Sequence, residues 1–324
     1  MPNLIRRSPA AALLVPLALC SPAALAGGDE GLIFWEVRSD KATVYLLGSM
    51  HAATADVYPL DRAIQKAWQQ SPALVVEVNL DAVDMNELQM NLLSRGMYEQ
   101  GKTLKDSVSG ETWELFEGYL ESRGLTAAGF GSMKPWFLSM VLTVTEMARS
   151  GYQEQYGIDR HFLDLAAEEG KKVHELESGD FQLELLSGFD DRMQELFLVT
   201  TLKEIEDFDA HMEELVTAWT SGDIAAMDRL ITKSSREDKR LEAVMEKLIY
   251  QRNETMTGKI VEYLRDGKSC FVVVGAAHLV GQRGIIELLS GMDSSTWKVT
   301  RVAPAGRGEP EPVPQPEPVA VPSR

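Results

Sequence analysis

Two histidines stand at the same distance from a glycine, each at the end of an apolar run. His51 closes the segment Thr43-Val-Tyr-Leu-Leu-Gly-Ser-Met-His51, and His278 closes Phe271-Val-Val-Val-Gly-Ala-Ala-His278. In an open α/β sheet, ligands gather at the carboxyl ends of the strands, so two imidazoles delivered there predict one shared site. Neutral imidazole is a common metal ligand and a general base near neutral pH. Two loop histidines bonded to backbone carbonyls are the alternative interpretation.

A carboxylate interrupts a third apolar run. Glu77 lies in Ala73-Leu-Val-Val-Glu-Val-Asn79, where a buried acid is unfavourable unless it is paired or bound to a metal. At the carboxyl end of its strand Glu77 would lie beside His51, although an edge strand with Glu77 facing water fits the same pattern. A set of His51, Glu77 and His278 could hold Zn²⁺, Mn²⁺ or Co²⁺ with one position open for water. Water bound to such an ion is a nucleophile, so the set predicts hydrolysis.

Three further residues are ranked behind this set. Asp159 and His161 lie at the predicted start of a helix, and one of them is expected to support or supplement the metal ligands. A helix cap is the competing interpretation of Asp159. Side chains two positions apart on a helix face different ways, so both should not bind one ion. Arg252 is expected to hold a substrate carboxylate or an oxyanion, and a surface ion pair with Glu246 or Glu254 is the alternative.

The spacing of apolar residues predicts an α/β fold, with strands from both ends of the chain in one sheet. A nearly all-helical stretch at about 134–265 predicts a large helical cap between them. The two Gly-x-x-His segments can meet only if their strands belong to the same mixed or parallel sheet. Strands are predicted at 32–37, 43–47, 73–79, 172–174, 268–274 and 297–302, and helices at 61–70, 84–95, 111–123, 135–149 and 282–290.

A secretory signal peptide is predicted over residues 1–26. Arg6 and Arg7 form its positive start, an apolar run follows, and Ala24-Leu-Ala26 is a typical cleavage motif. A lipid anchor on Cys20 is not favoured, because the residue before it is a leucine rather than a small residue. The mature protein is expected to be secreted or periplasmic, with no apolar run long enough to span a bilayer.

The net charge limits which partners are expected, and a proline-rich C-terminal segment indicates where the folded domain ends. The net charge of −17 becomes more negative when the two arginines of the signal peptide are lost. This charge argues against nucleic acid and anionic membranes as partners. Cys270 would be the single cysteine of the mature chain, so no internal disulfide is expected. Seven prolines within 303–324 predict a disordered tail, and the α/β domain is expected to occupy 27–302.

Seven short segments occur in an order that is more specific than any one of them. They are Gly48-Ser-Met-His51, Val75-Val-Glu-Val-Asn79, Gly157-Ile-Asp-Arg-His161-Phe162, Leu176-Glu-Ser178, Arg252-Asn-Glu-Thr-Met256, Phe271 to Gly281 and Gly284-Ile-Ile286. Together they resemble the TraB/PrgY/GumN family, which includes the Tiki metalloproteases, over about residues 32–302. The resemblance implies an α/β fold related to erythromycin-esterase-like and ChaN-like proteins. For the Tiki branch it implies Mn²⁺- or Co²⁺-dependent proteolysis, with ligands corresponding to His51, Glu77 and His278.

The sequence therefore predicts a secreted, metal-dependent hydrolase, with a peptidase as the leading interpretation. Its substrate would be a peptide or a small molecule. Two alternatives use the same histidines. A non-catalytic periplasmic protein could bind a peptide, haem or iron, and a metal-free esterase-like enzyme could use His51 as a base on water, oriented by Glu77.

Overall fold

One mixed sheet contains strands from the N-terminal and the C-terminal parts of the chain. The computed structural model describes residues 31–99, 101–292 and 296–310. The predicted signal peptide and the tail beyond residue 310 lie outside the described residues. The strands are β1 (Phe34–Ser39), β2 (Thr43–Ser49), β3 (Ala73–Val76), β4 (Lys172–Glu175), β5 (Cys270–Gly275) and β6 (Trp297–Arg301). Their order across the sheet is β4-β3-β5-β2-β1-β6. Neighbours among β4, β3, β5 and β2 are parallel, and β1 is antiparallel to β2 and β6.

Helices connect and cover these strands. Several begin at an aspartate whose carboxylate accepts an N–H bond from the first turn, as Asp61 does from Ala63 and Asp190 from Met193. The helices are α1 (Arg62–Gln70), α2 (Met85–Gly96), α3 (Gly110–Ser122), α4 (Pro135–Arg149), α5 (Ile158–Glu169), α6 (Gly179–Ser187), α7 (Asp191–Glu206), α8 (Phe208–Ser221), α9 (Ile224–Glu237), α10 (Glu242–Met245), α11 (Gln251–Arg265), α12 (Ala276–Leu279) and α13 (Ile285–Gly291). A π-helical segment, Glu246–Tyr250, joins α10 to α11.

The centre of the sheet is the strand that carries the second Gly-x-x-His motif. All six residues of β5 are buried, so both of its faces are covered, as is usual for a parallel strand between helices. β5 pairs in parallel with β2, from Val44 opposite Cys270 to Ser49 opposite Gly275. The prediction that N- and C-terminal strands share one mixed α/β sheet is thereby confirmed.

The predicted helical stretch at about 134–265 has two parts in the structure. α3, α4, α7 and α8 share a second apolar core. Its buried residues include Phe116, Leu138, Leu198 and Phe208. α5, in contrast, packs against β3 and β5, and β4 lies at the sheet edge, so part of this stretch belongs to the α/β layers. Among the described residues, no helix combines the length and apolarity needed to cross a bilayer.

The first eight residues of the predicted tail, 303–310, lie against the start of α1 and are called here the C-terminal strap. The backbone N–H of Ala305 donates to the carboxylate of Asp61 at 3.0 Å. Gln65 and Glu309 exchange two bonds, from the Gln65 amide to the Glu309 carbonyl and from the Glu309 N–H to the Gln65 side-chain oxygen. The aspartate that begins α1 therefore also holds the chain beyond β6.

Candidate functional site

The carboxyl ends of three neighbouring parallel strands bring the predicted central residues together. Ser49, the last residue of β2, pairs with Gly275, the last residue of β5, and β3 lies on the other side of β5. His51 follows β2 by two residues, Glu77 directly follows β3, and His278 lies in α12 three residues after β5. The strand register alone therefore places these side chains at one edge of the sheet.

Gly275 lies at the centre of this group. A Cβ atom built on it would lie 3.3 Å from Oε1 of Glu77, 3.6 Å from Cδ2 of His278 and 3.7 Å from Nε2 of His51. The N–H of Gly275 donates to Oε1 of Glu77 at 2.6 Å, and Nε2 of His278 lies 3.7 Å from Oε2 of Glu77. Glycine here leaves the space that the three side chains face.

His51 is oriented by a carboxylate. Its Nδ1 donates to Oδ2 of Asp159 at 2.9 Å, and Oγ of Ser49 donates to the other oxygen, Oδ1, at 2.9 Å. Asp159 lies in the first turn of α5, whose cap residue is Gly157, so its carboxylate is turned to His51 rather than to the helix end. Burial lowers the pKa of His51, but the charge and hydrogen bond of Asp159 outweigh this and raise that pKa to about 9.

His278 is oriented by an amide. Its Nδ1 lies 2.6 Å from Oδ1 of Asn253, and Nδ2 of Asn253 donates to the carbonyl of Arg283 at 2.7 Å. Burial lowers the pKa of His278 far below that of a free histidine, despite the neighbouring Glu77. His278 is therefore neutral near pH 7, so one of its ring nitrogens carries a lone pair.

Glu77 is held by a buried arginine. Nη2 of Arg252 donates to Oε2 of Glu77 at 2.6 Å, and Nε donates to both oxygens of Glu177 at 2.9 and 3.0 Å. The carboxylate of Glu177 also accepts from the Gln182 amide at 3.0 Å. Burial raises the pKa of Glu77, but the charges of Arg252 and His51 and the Gly275 N–H outweigh this, so Glu77 is ionised.

The contacts of Arg252 in the structure differ from both of those predicted, with a substrate anion or with a surface carboxylate. Its side chain is 1% exposed, and Nη1 donates to the carbonyl of Leu248 within the π-helical segment. The surface partners predicted for it, Glu246 and Glu254, pair instead with Arg283. The guanidinium is directed at protein carboxylates, so its position favours holding Glu77 rather than touching a substrate.

His161 is not brought into this group. It is buried on α5, and its ring packs against Tyr58 and Phe162 at centroid distances of 4.8 and 5.2 Å. Asp159, two residues earlier, faces His51, as expected for side chains that point in different directions on a helix.

The sequence patterns did not indicate Asn253 or Ser49 as members of this site. A signal for Asn253 was available, because it falls on the face of α11 that also buries Met256, Ile260 and Leu264. A polar residue on a buried helix face needs a hydrogen-bond partner. Ser49 carries no comparable signal, since a serine at a strand end is unremarkable by itself.

The predicted divalent metal would take its donors from His51, Glu77 and His278. Within the described residues, no group of three or more His, Cys, Asp or Glu side chains is already arranged to hold an ion. The chemistry nevertheless fits, because two imidazoles and a carboxylate are the donors such ions take, and both Nδ1 atoms are held while both rings reach the space at Gly275. Glu77 would have to share with the ion the Oε2 that now accepts from Arg252.

Relatives of this chain cover most of its length. The uncharacterized protein YbaP of Escherichia coli (strain K12) is 24% identical over 245 residues, which are 76% of this chain and 87% of YbaP. An uncharacterized protein of Treponema pallidum (strain Nichols) is 24% identical over 235 residues, 68% of this chain and 69% of that protein. No solved structure gives a significant match, so the relation to ChaN-like proteins stays a prediction. The TraB/PrgY/gumN family model matches residues 33–295, a span that holds every residue of this site, and the chain therefore belongs to that family.

Proposed function

We propose that this chain is a hydrolase whose site consists of His51, Glu77 and His278 and takes a divalent cation. The observation that carries the proposal is the way the two imidazoles are held. Each Nδ1 is engaged by a side chain, of Asp159 or of Asn253, and each ring reaches the space beside Gly275 with its other edge. Ligating histidines in proteins are commonly held in this way, with the second ring nitrogen bonded to a carboxylate or carbonyl oxygen.

The contact between His278 and Glu77 also supports a cation. Nε2 of His278 and Oε2 of Glu77 lie 3.7 Å apart, and both groups are buried. Oε2 of Glu77 already accepts from Arg252, and a cation between these two groups would in addition satisfy a lone pair on Nε2 of His278. Mn²⁺, Co²⁺ and Zn²⁺ accept mixed nitrogen and oxygen ligands, and when bound such an ion makes water a nucleophile at neutral pH.

Two further residues, Asp159 and Arg252, would hold the metal-binding side chains in position and would not take part in the reaction. Asp159 keeps the His51 ring oriented, and Arg252 fixes the Glu77 carboxylate. The side chain of His51 is 16% exposed, whereas those of Glu77 and His278 are 7% and 3% exposed, so a substrate would enter from the His51 side. The resemblance to the Tiki metalloproteases makes a peptide the first substrate class to test.

The test is the metal content of protein purified without chelator. We expect about one Mn, Co or Zn per chain in the wild type, and loss of metal and of peptide hydrolysis in His51→Ala and His278→Ala. His174→Ala is the matched control, because His174 lies exposed on the edge strand β4. Its metal content and activity should equal those of the wild type, and circular dichroism checks that all three variants fold.

Two results would contradict the proposal. A Soret band in the purified protein would indicate haem binding instead. Turnover that is insensitive to chelator, in protein without metal, would select a metal-free hydrolase. The His51–Asp159 pair favours this second candidate, because a carboxylate-bonded imidazole is the usual proton carrier of such enzymes. In that case Asp159→Asn should abolish the chelator-insensitive turnover.

A further inference from the structure

We propose that Asn253 is a positioning residue that fixes which nitrogen of His278 faces Glu77. Its amide holds His278 with the proton on Nδ1 and thereby turns the Nε2 lone pair toward the site. The inference deepens the proposed function and rests on it for its catalytic meaning, whereas the hydrogen bond itself requires no metal.

The orientation of the Asn253 amide is determined by its second partner. An amide has one end that donates and one that only accepts. The carbonyl of Arg283 only accepts, and it lies 2.7 Å from Nδ2 of Asn253, so Oδ1 is the atom that faces His278. Because Oδ1 only accepts, the Nδ1 of His278, 2.6 Å away, must carry the proton. Asn253 is 0% exposed, so water does not compete for either bond.

The loop that supplies this carbonyl is itself anchored to α11. The guanidinium of Arg283 pairs with Glu246 and with Glu254, the neighbour of Asn253 in the chain. It also lies over the ring of Tyr250, 4.3 Å from the centroid. The residue that supplies this carbonyl is therefore tied to the stretch of chain, 246–254, that contains Asn253.

A carboxylate at position 253 would satisfy only one of the two partners. An aspartate could still accept from Nδ1 of His278, but its other oxygen would face the carbonyl of Arg283, which also only accepts. At His51 the situation is reversed, because Asp159 accepts from both His51 and the Ser49 hydroxyl. The two histidines thus have different partners because the groups behind those partners differ.

The test is the tautomer of His278, read by two-bond ¹H–¹⁵N correlation spectra of protein labelled with ¹⁵N-histidine. The chain has five histidines, and His278→Gln identifies the signal by its loss. We expect the Nδ1–H tautomer in the wild type, the Nε2–H form or a mixture in Asn253→Leu, and recovery of the Nδ1–H form in Asn253→Asp. Asn86→Leu, at an exposed position of α2, is the control and should leave the spectrum unchanged.

A metal titration distinguishes this inference from the proposed function. Mn²⁺ titration should show binding about 10- to 100-fold weaker in Asn253→Leu, the usual effect of losing a partner of a ligating histidine. An Nε2–H tautomer in the wild type, or an unchanged tautomer in Asn253→Leu, would overturn the inference. If Asn253→Leu does not fold, the wild-type spectrum alone decides. An Nδ1–H tautomer in a protein that binds no metal would overturn the proposed function and leave the role of Asn253 standing.

Discussion

Gly275 has no side chain, and the three central residues of the site use the space that this leaves. We expect Gly275→Ala to fold, because a φ of −50° suits alanine. The new methyl group would lie 3.3 Å from Oε1 of Glu77 and push into the space that both histidines face. Displacing reacting groups by about 1 Å costs on the order of 100-fold in rate, so kcat/KM for a verified substrate should fall by about that factor. Gly258→Ala is the control, since a Cβ there meets no atom within 4 Å, and equal losses in both variants would refute a specific role for Gly275.

At the same scale, the sequence indicated some site residues and not others, for a physical reason. His51 and His278 follow apolar runs and Glu77 interrupts one, so each carries a signal within its own segment, and the structure brings the three side chains together. Asn253 acts through partners 25 and 30 residues away, and no local pattern specifies that pairing. Arg252 was noticed, but its two carboxylate partners lie 175 and 75 residues away, so its role could not be derived from its neighbours.

At the scale of elements, α7 carries a buried acid that opposes folding at neutral pH. Glu204 is 2% exposed and accepts a hydrogen bond from Ser234 on α9 at 2.6 Å. Burial raises the pKa of Glu204 well above its usual value, so the folded protein binds this proton more tightly than the unfolded chain does. The stabilisation is therefore complete below the unfolded pKa of about 4.5 and is lost as the pH rises through the raised folded pKa.

Glu204→Gln should remove this pH dependence. Glutamine keeps an acceptor for Ser234 and does not ionise, so we expect the variant to be more stable than the wild type at neutral and alkaline pH, by on the order of 1 kcal/mol. Near pH 4 the two proteins should be equally stable. Urea unfolding between pH 4 and 9 measures the difference, with Glu206→Gln on the exposed side of α7 as control. Parallel stability curves for wild type and Glu204→Gln would contradict the argument.

The elements themselves were predicted where the signal is local. The helix predicted at 135–149 agrees with α4 residue for residue, because Pro135 is suited to the first turn and an apolar stripe follows. The strand predicted at 73–79 ends earlier, at Val76, because the chain turns where Glu77 meets Gly275 and Arg252. That contact depends on β5 and α11, far along the chain, so a strand pattern alone continues through it.

At the scale of the whole molecule, the C-terminal strap should stabilise the fold. Arg307 donates to the carbonyl of Tyr58 at 2.6 Å, and the Tyr58 hydroxyl donates to the carbonyl of Tyr156, in the segment that precedes α5. A chain ending at Val302 loses the Arg307 bond to Tyr58 and the bonds of the strap to α1. We expect its free energy of unfolding to fall by about 1–3 kcal/mol, the sum expected of several partly exposed hydrogen bonds.

A chain ending at Pro310 is the matched control, because it keeps the whole strap. Urea unfolding of the full chain and both truncated chains measures the difference. Equal stability of the chain ending at Val302 and the full chain would show that the strap contributes nothing. Composition could not predict the strap, since proline and glutamate indicate an unpaired tail, whereas its bonds depend on backbone groups meeting α1 about 244 residues earlier.

The parallel pairing of β2 with β5 has a consequence for the order of events during synthesis. Ser49 leaves the ribosome more than 200 residues before its partner Gly275, so 275 of the 324 residues must be made before that ladder can close. Contacts this distant in sequence also form slowly, because a long loop must be closed first. Every incomplete chain that lacks β5 also lacks His278 and the N–H that binds Glu77. The nascent protein is therefore without this site until synthesis is nearly finished, and the topology itself sets the moment at which the site can first form.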